Sequence, residues 1–186
     1  PLIDPFCGSG TIVIEAGLLA SGKAPGSDRS FDFESFSNFD AELWGRIREQ
    51  ARAREKSSGA RLVGSDRDGG VIAQASANVD RAGVDVELGQ ASVSESPCWQ
   101  VPGRGALCTN PPWGRRVSSA KDLRPLLQRL AGLCAEHLRG WQLALAVADP
   151  KLAAACGLPG EPWCSTDHGG TKIALTSGTI PDDDVS

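Results

Sequence analysis

The sequence predicts a doubly wound α/β sheet, mostly parallel and closed by an antiparallel hairpin, and three observations predict it. Short apolar runs that read as strands alternate with segments of helical periodicity. A glycine-rich turn, Asp4-Pro5-Phe6-Cys7-Gly8-Ser9-Gly10-Thr11, leads from the first strand into the first helix. The alternation stops near the carboxyl end, where two strand-like runs flank Gly169-Gly170. At 186 residues the chain is long enough for one domain with a sizeable core and too short for two.

Leu2-Ile3 before Asp4 are too few for a strand of about five residues. The chain therefore reads as a fragment that begins inside an element of a longer polypeptide, and the absence of any Met agrees. Ile12, Ala16, Leu19 and Ala20 fall at helical spacing after the glycine turn. Gly8 and Gly10 let a ligand approach the backbone, and the N–H groups of the helix's first turn favour a carboxylate or phosphate. An insertion follows over about 21–57. Its Phe31, Phe33, Phe36 and Phe39 either form a lid over a ligand cleft or pin the insertion to the body. Asp40 is expected to cap a helix running to about Lys56, with Phe39 stapled to Trp44. Arg46, Arg48, Arg52, Arg54 and Lys56 on that helix read as a solvated face, with RNA contact as the lesser alternative.

Leu62 to Asp66 is the second strand, and an acid at this strand's end is placed to accept hydrogen bonds from ribose hydroxyls. The long interval from Gly10 to Asp66 is accounted for by the insertion. Asp68 is the second choice for that role, or else caps the next helix, which ends at Gly83. Val84, Val86 and Leu88 alternate as the third strand, and 94–105 reads as a polar loop. Ala106-Leu107-Cys108 is a buried fourth strand. Beyond it come an amphipathic helix from Leu123 to Leu138 with Pro125 in its first turn, and a buried strand from Gln142 to Val147. A short helix after Asp149-Pro150 and a hairpin of Trp163–Asp167 with Lys172–Ile180 complete the set, and 181–186 reads as a frayed acidic end.

The chemistry concentrates at the exit of the fourth strand, in Thr109-Asn110-Pro111-Pro112-Trp113-Gly114-Arg115-Arg116. A strand's carboxyl end is the ligand-binding edge of an open α/β sheet. Asn110 offers a side-chain carbonyl oxygen, and consecutive prolines, lacking N–H groups, leave their carbonyls facing outward from a stiff turn. Together these oxygens can accept both hydrogens of a planar exocyclic amine, and Trp113 supplies a face on which its ring could stack. The alternative is a proline-stiffened turn with a packed Trp. Arg115, Arg116, Lys121, Arg124 and Arg129 form the basic concentration near this site, either reaching phosphates or solvating a helix.

Nineteen Lys and Arg against 23 Asp and Glu give a net charge of −4, which is not the footprint of a strong nucleic-acid binder. The six cysteines show no Cys-x-x-Cys pair and read as small buried hydrophobes of a reducing compartment. No metal site is expected, and His137 and His168 read as a helix-surface and a turn residue. With no run long enough to span a membrane and no signal peptide, a cytoplasmic location is expected.

Asp4–Thr11 followed by Ile12-Val13-Ile14-Glu15-Ala16, together with the Asn-Pro-Pro-Trp run, resembles the class I S-adenosylmethionine-dependent methyltransferases, and among them the RNA N2-guanine group that commonly carries a THUMP domain. Within the group the likeness is greatest to the amino-terminal catalytic half of enzymes acting on bacterial 23S ribosomal RNA. It covers nearly the whole chain, since FDAELW, GSDRD and GWQLALAVADP also occur in the family's order.

The resemblance implies a Rossmann-like, seven-stranded sheet and a single catalytic domain over 1–186. It implies S-adenosylmethionine as cofactor, S-adenosylhomocysteine as product, and an RNA substrate gripped mainly by domains outside this fragment. On these positions it places the cofactor on Asp4, Phe6, Cys7, Gly8, Ser9, Gly10, Thr11, Asp66, Ala91, Ser92 and Asn110. Catalysis falls to Asn110, Pro111, Pro112 and Trp113. Ala91 stands where the family has an acid that accepts from the adenine amine; either Ser92 substitutes for it or the base is held by apolar contacts and backbone. The motif alone fits adenine N6 or another amine equally well, and a non-catalytic RNA-binding or assembly domain is a further alternative. A nicotinamide oxidoreductase is disfavoured, because a third glycine with an acid at the usual distance is lacking.

Overall fold

The computed structural model describes residues 1–113 and 123–182. Among them, seven strands form one sheet in the order β3-β2-β1-β4-β5-β7-β6. These are β1 (Leu2–Asp4), β2 (Leu62–Asp66), β3 (Glu87–Gln90), β4 (Ala106–Thr109), β5 (Gln142–Val147), β6 (Glu161–His168) and β7 (Thr171–Thr179). The first five pair in parallel, and β7 runs antiparallel to both β5 and β6. Gly169 and Gly170, at φ 58° and 76°, make the two-residue turn of the hairpin, which positive φ at both positions suits.

The helices are α1 (Thr11–Ser21), α2 (Ala41–Arg52), α3 (Gly69–Ala82), α4 (Arg124–His137) and α5 (Pro150–Ala155). Successive strand residues point to opposite faces, and β2 shows both. Leu62 faces α1, where a Cβ on Gly17 would lie 3.1 Å from its Cδ1. Val63 joins Ile3, Leu107, Leu130, Leu133, Trp141 and Leu143 in the core under α4 and α5. Thus α1 and α3 cover one face and α4 and α5 the other.

Four local expectations are corrected. The third strand begins at Glu87 rather than Val84, because Val84 N–H is drawn to Val79 O in the cap that ends α3 at Gly83. α2 stops at Arg52, short of Lys56, because Lys56 N–H donates to Ser21 O at 2.9 Å and returns the chain to α1. Asp40 does cap α2, accepting from Leu43 N–H. Trp44, however, packs edge-on against Phe31 and Phe33 while Phe39 meets Phe33, so the expected Phe39–Trp44 staple gives way to an aromatic cluster. The stretch 94–105 is no polar loop: Cys98, Trp99 and Val101 are buried, and the Trp99 indole N–H donates to Val93 O.

The insertion's two ends meet at the far end of α1 from the glycine turn, about 16 Å away at 1.5 Å per residue. Phe31, Phe33, Phe39 and Trp44 pack on one another there while Phe36 is exposed, so the aromatic residues hold the insertion together from within and neither cover the ligand edge nor pin the insertion to the body. The six cysteines are free; Cys7, Cys98 and Cys134 are buried, whereas Cys164 lies exposed on β6. His137 lies exposed in the last turn of α4, as expected, and stacks on Trp99.

Trp141 begins the turn into β5, is 1% exposed and donates its indole N–H to Gly103 O at 2.8 Å. Trp141→Ala should lower stability by about 3–5 kcal/mol, read as a fall in the urea midpoint. An unchanged midpoint would place this side chain outside the cooperative core.

Candidate active site

The strand order reverses between β1 and β4, which connect to opposite sides of the sheet. The crevice outside such a switch point is where open α/β sheets bind ligands. Two loops leave the sheet there side by side: the glycine turn after β1 and Asn110-Pro111-Pro112-Trp113 after β4.

The glycine turn is fixed from below and from one side. Cys7 N–H donates to Ser65 O at 2.9 Å and Gly10 N–H to Cys7 O at 2.9 Å. Gly8 and Gly10 have φ of 54° and 89°, conformations that side chains oppose. A Cβ on Gly8 would meet nothing within 4 Å, so the turn is open to a ligand there. Gly10 instead packs close, 3.4 Å from Ala75 Cβ of α3 if given a Cβ of its own. From the same helix Asn78 Nδ2 donates to Ser9 O at 2.9 Å. Asn78 was not picked out from the sequence; its place one turn beyond Ala75 on the face of α3 toward the turn becomes meaningful only once α3 is docked.

Asp66 lies at the end of β2, half-buried. It accepts Gly8 N–H at 3.2 Å on one oxygen and Asp68 N–H at 3.0 Å on the other. Each carboxylate oxygen keeps lone-pair capacity for a ribose hydroxyl. Asp68 is occupied otherwise, capping α3 through Gly70 and Val71 N–H. At the end of β3, Ala91 N–H donates to Asp66 O at 2.9 Å, and the Ser92 hydroxyl donates to Glu95. Gln90, paired in register with Asp66, lies over Gly69 and donates from Nε2 to Arg67 O at 3.4 Å.

Three of the residues predicted for the cofactor sit beneath the turn rather than on its open side. Phe6 packs against the α4-side core, and Cys7 is buried with its side chain on Gly64. Asp4 is 1% exposed, and its Oδ1 accepts both the Phe6 N–H, at 3.0 Å, and the hydroxyl of Thr109 in a short bond. Burial pushes the Asp4 carboxyl up to about 7, the two hydrogen bonds oppose this, and the nearby Asp66 charge adds to it. Burial, reinforced by Asp4 and Asp66, likewise pushes the Cys7 thiol up to about 12 and keeps it protonated.

On the β4 side Asn110 and Pro112 are exposed and Pro111 is buried. Trp113 is half-buried, and its indole N–H donates to Ala146 O of β5 at 3.0 Å. The ring is therefore held across the ends of two strands. Of the basic group, Arg115, Arg116 and Lys121 lie outside the described residues, and Arg129 donates to Ser94. No group of three or more His, Cys, Asp or Glu is arranged to hold a metal among the described residues.

The raised Asp4 value has a definite thermodynamic sign. The folded state prefers neutral Asp4, so the stability it contributes is full below about 4 and is lost as pH rises through about 7. The loss is about 4 kcal/mol at 1.36 kcal/mol per unit. Asp4→Asn, which stays neutral, should therefore gain on the parent protein between pH 4 and pH 8. Urea titrations at both pH values check this; a constant difference would show that Asp4 is ionised throughout.

Residues 1–163 match the family model of the RMKL-like methyltransferase domain, UPF0020. The Ribosomal RNA large subunit methyltransferase K/L of Legionella pneumophila (strain Lens) is 39% identical over 182 residues, 96% of this chain and 26% of that protein. The protein of that name from Shewanella sp. (strain MR-4) is 36% identical over 188 residues, with the same coverage. The chain thus spans about a quarter of the length of these curated relatives. Among solved structures, SMU.472, a putative methyltransferase complexed with SAH, superposes with a TM-score of 0.86 at 27% identity, over all of this chain and 49% of that one. The family match takes in most of the sequence, both loops at the switch point included, and the chain belongs to the RMKL-like methyltransferase domain family.

Proposed function

We propose that this domain transfers a methyl group from S-adenosylmethionine to the exocyclic N2 of a guanine in RNA, with 23S ribosomal RNA as the substrate. The observation that carries the reading is the juxtaposition at one switch point of an open glycine turn with an exposed Asn-Pro-Pro-Trp exit. Family membership supports the methyl transfer, and the relatives' names support a ribosomal RNA substrate. The choice of guanine N2 rests on the likeness of the insertion and its FDAELW segment to the N2-guanine group. No helix of the described residues is long and apolar enough to cross a membrane. A cytoplasmic place beside the assembling ribosome fits the reading.

The residues present fit the cofactor. Gly8, Ser9 and Gly10 would lie along it where a Cβ at Gly8 finds open space, Asp66 would hold its ribose, and Ala91 and Ser92 would flank its base. When bound, S-adenosylmethionine supplies a methyl group already activated on a sulfonium, so the protein's work is positioning and electrostatics.

Asn110 Oδ1 and the Pro111 carbonyl accept the two hydrogens of the target amine. This draws its lone pair out of conjugation with the ring and aims it at the glycine turn. Trp113, held by Ala146 O, stacks the base after it leaves its helix. The amine needs no strong base beforehand, and the proton it sheds after bond formation leaves to water at the exposed Asn110.

Asn110→Ala should slow transfer by about 100-fold or more while leaving the S-adenosylmethionine Kd within about threefold. Asp66→Ala should weaken cofactor binding by about 10- to 100-fold. Calorimetry with S-adenosylmethionine and S-adenosylhomocysteine, and tritium transfer to unmodified 23S RNA with nucleoside analysis, check both. Label in N6-methyladenosine would move the substrate to adenine. Cofactor binding without transfer by the longest form of the protein would favour a non-catalytic RNA-binding domain.

A further inference from the structure

Backbone pairing between β1 and β4 runs Leu2 with Ala106 and Ile3 with Leu107. Asp4 and Thr109 lie beyond the paired positions, at the point where the two functional loops leave the sheet. Among the described residues, the bond that bridges this end is the one from the Thr109 hydroxyl to Asp4 Oδ1. Both side chains are 1% exposed. The same oxygen accepts the Phe6 N–H of the glycine turn. A single carboxyl oxygen thus joins the turn and the residue before Asn110.

We infer that Thr109 is a positioning residue that couples cofactor occupancy of the glycine turn to the placement of Asn110. The inference rests on the methyltransferase reading for its chemical meaning, but the coupling is measurable without turnover. Thr109 neither touches the acceptor nor the cofactor; it acts through the chain bond to Asn110 and through Asp4. Valine has nearly the shape of threonine and lacks the hydroxyl, whereas serine keeps the hydroxyl and loses a methyl group. The two substitutions therefore separate the hydrogen bond from the packing.

The test compares the parent chain, Thr109→Val and Thr109→Ser by calorimetry with S-adenosylhomocysteine and by amide hydrogen exchange at Asn110 and Trp113, with and without that ligand at saturation. Saturation should slow exchange at both amides by at least about threefold in the parent and in Thr109→Ser. In Thr109→Val the slowing should fall below about 1.5-fold, with the ligand Kd within about threefold of the parent. Equal protection in Thr109→Val, no protection in the parent, or loss of the effect in Thr109→Ser as well would each overturn the coupling. Single-turnover transfer to unmodified 23S RNA then adds the functional arm: a rate about 10-fold lower in Thr109→Val, restored in Thr109→Ser. Protection in the parent together with no methyl transfer by the longest form of the protein refutes the methyltransferase reading and leaves the coupling standing.

Discussion

The ligand edge of this domain depends on how one buried carboxyl is satisfied. Asp4 ends β1 at the position where the strand order reverses, and it is buried from bulk solvent. A carboxyl so placed must find its partners in the protein. It finds them in the two segments that carry the chemistry, the Phe6 N–H of the glycine turn and the Thr109 hydroxyl before Asn110. The preference for the neutral form, caused chiefly by burial, is the cost of placing a carboxyl where it can hold both.

Around that centre the glycine turn is held by groups from two elements. β2 contributes Ser65 O and the Asp66 carboxylate, and α3 contributes Ala75 and Asn78. Asp68 serves the same end indirectly, since capping α3 sets the helix from which Asn78 reaches the turn. The left-handed glycine conformations are thereby formed in advance of any ligand, and little ordering is left for binding to supply. Ala91 fits this arrangement through its backbone: its N–H secures the end of β2, a task any residue type can perform.

The insertion belongs to the other edge of the sheet. α2 has one face of Leu43 and Ile47 left partly exposed and buries no residue, while Trp44 is taken up by the Phe31 and Phe33 rings. The amphipathic spacing that makes this segment a helix therefore does not tie it to the sheet. Its aromatic cluster stabilises the insertion from within, and Lys56 N–H on Ser21 O closes it at its base.

Most of the architecture was legible in the residues themselves. Apolar runs at strand spacing marked β2, β4 and β5, Asp40, Asp68 and Asp149 marked helix starts through side chains that cap N–H groups, and Gly83 and Gly169-Gly170 marked turns by needing positive φ. These are local effects, decided within a few residues of the one that carries them. The Asn-Pro-Pro-Trp run and the glycine turn were legible for the same reason. What the chain could not disclose by itself were relations between segments distant along it: that Asp4 lies beneath the turn and not on it, that Thr109 is its partner, that Asn78 reaches Ser9, and that 97–101 packs into the core. Each of these depends on which strand lies beside which. That order is chosen by the burial of both faces of the whole sheet, a quantity no single stretch of sequence contains.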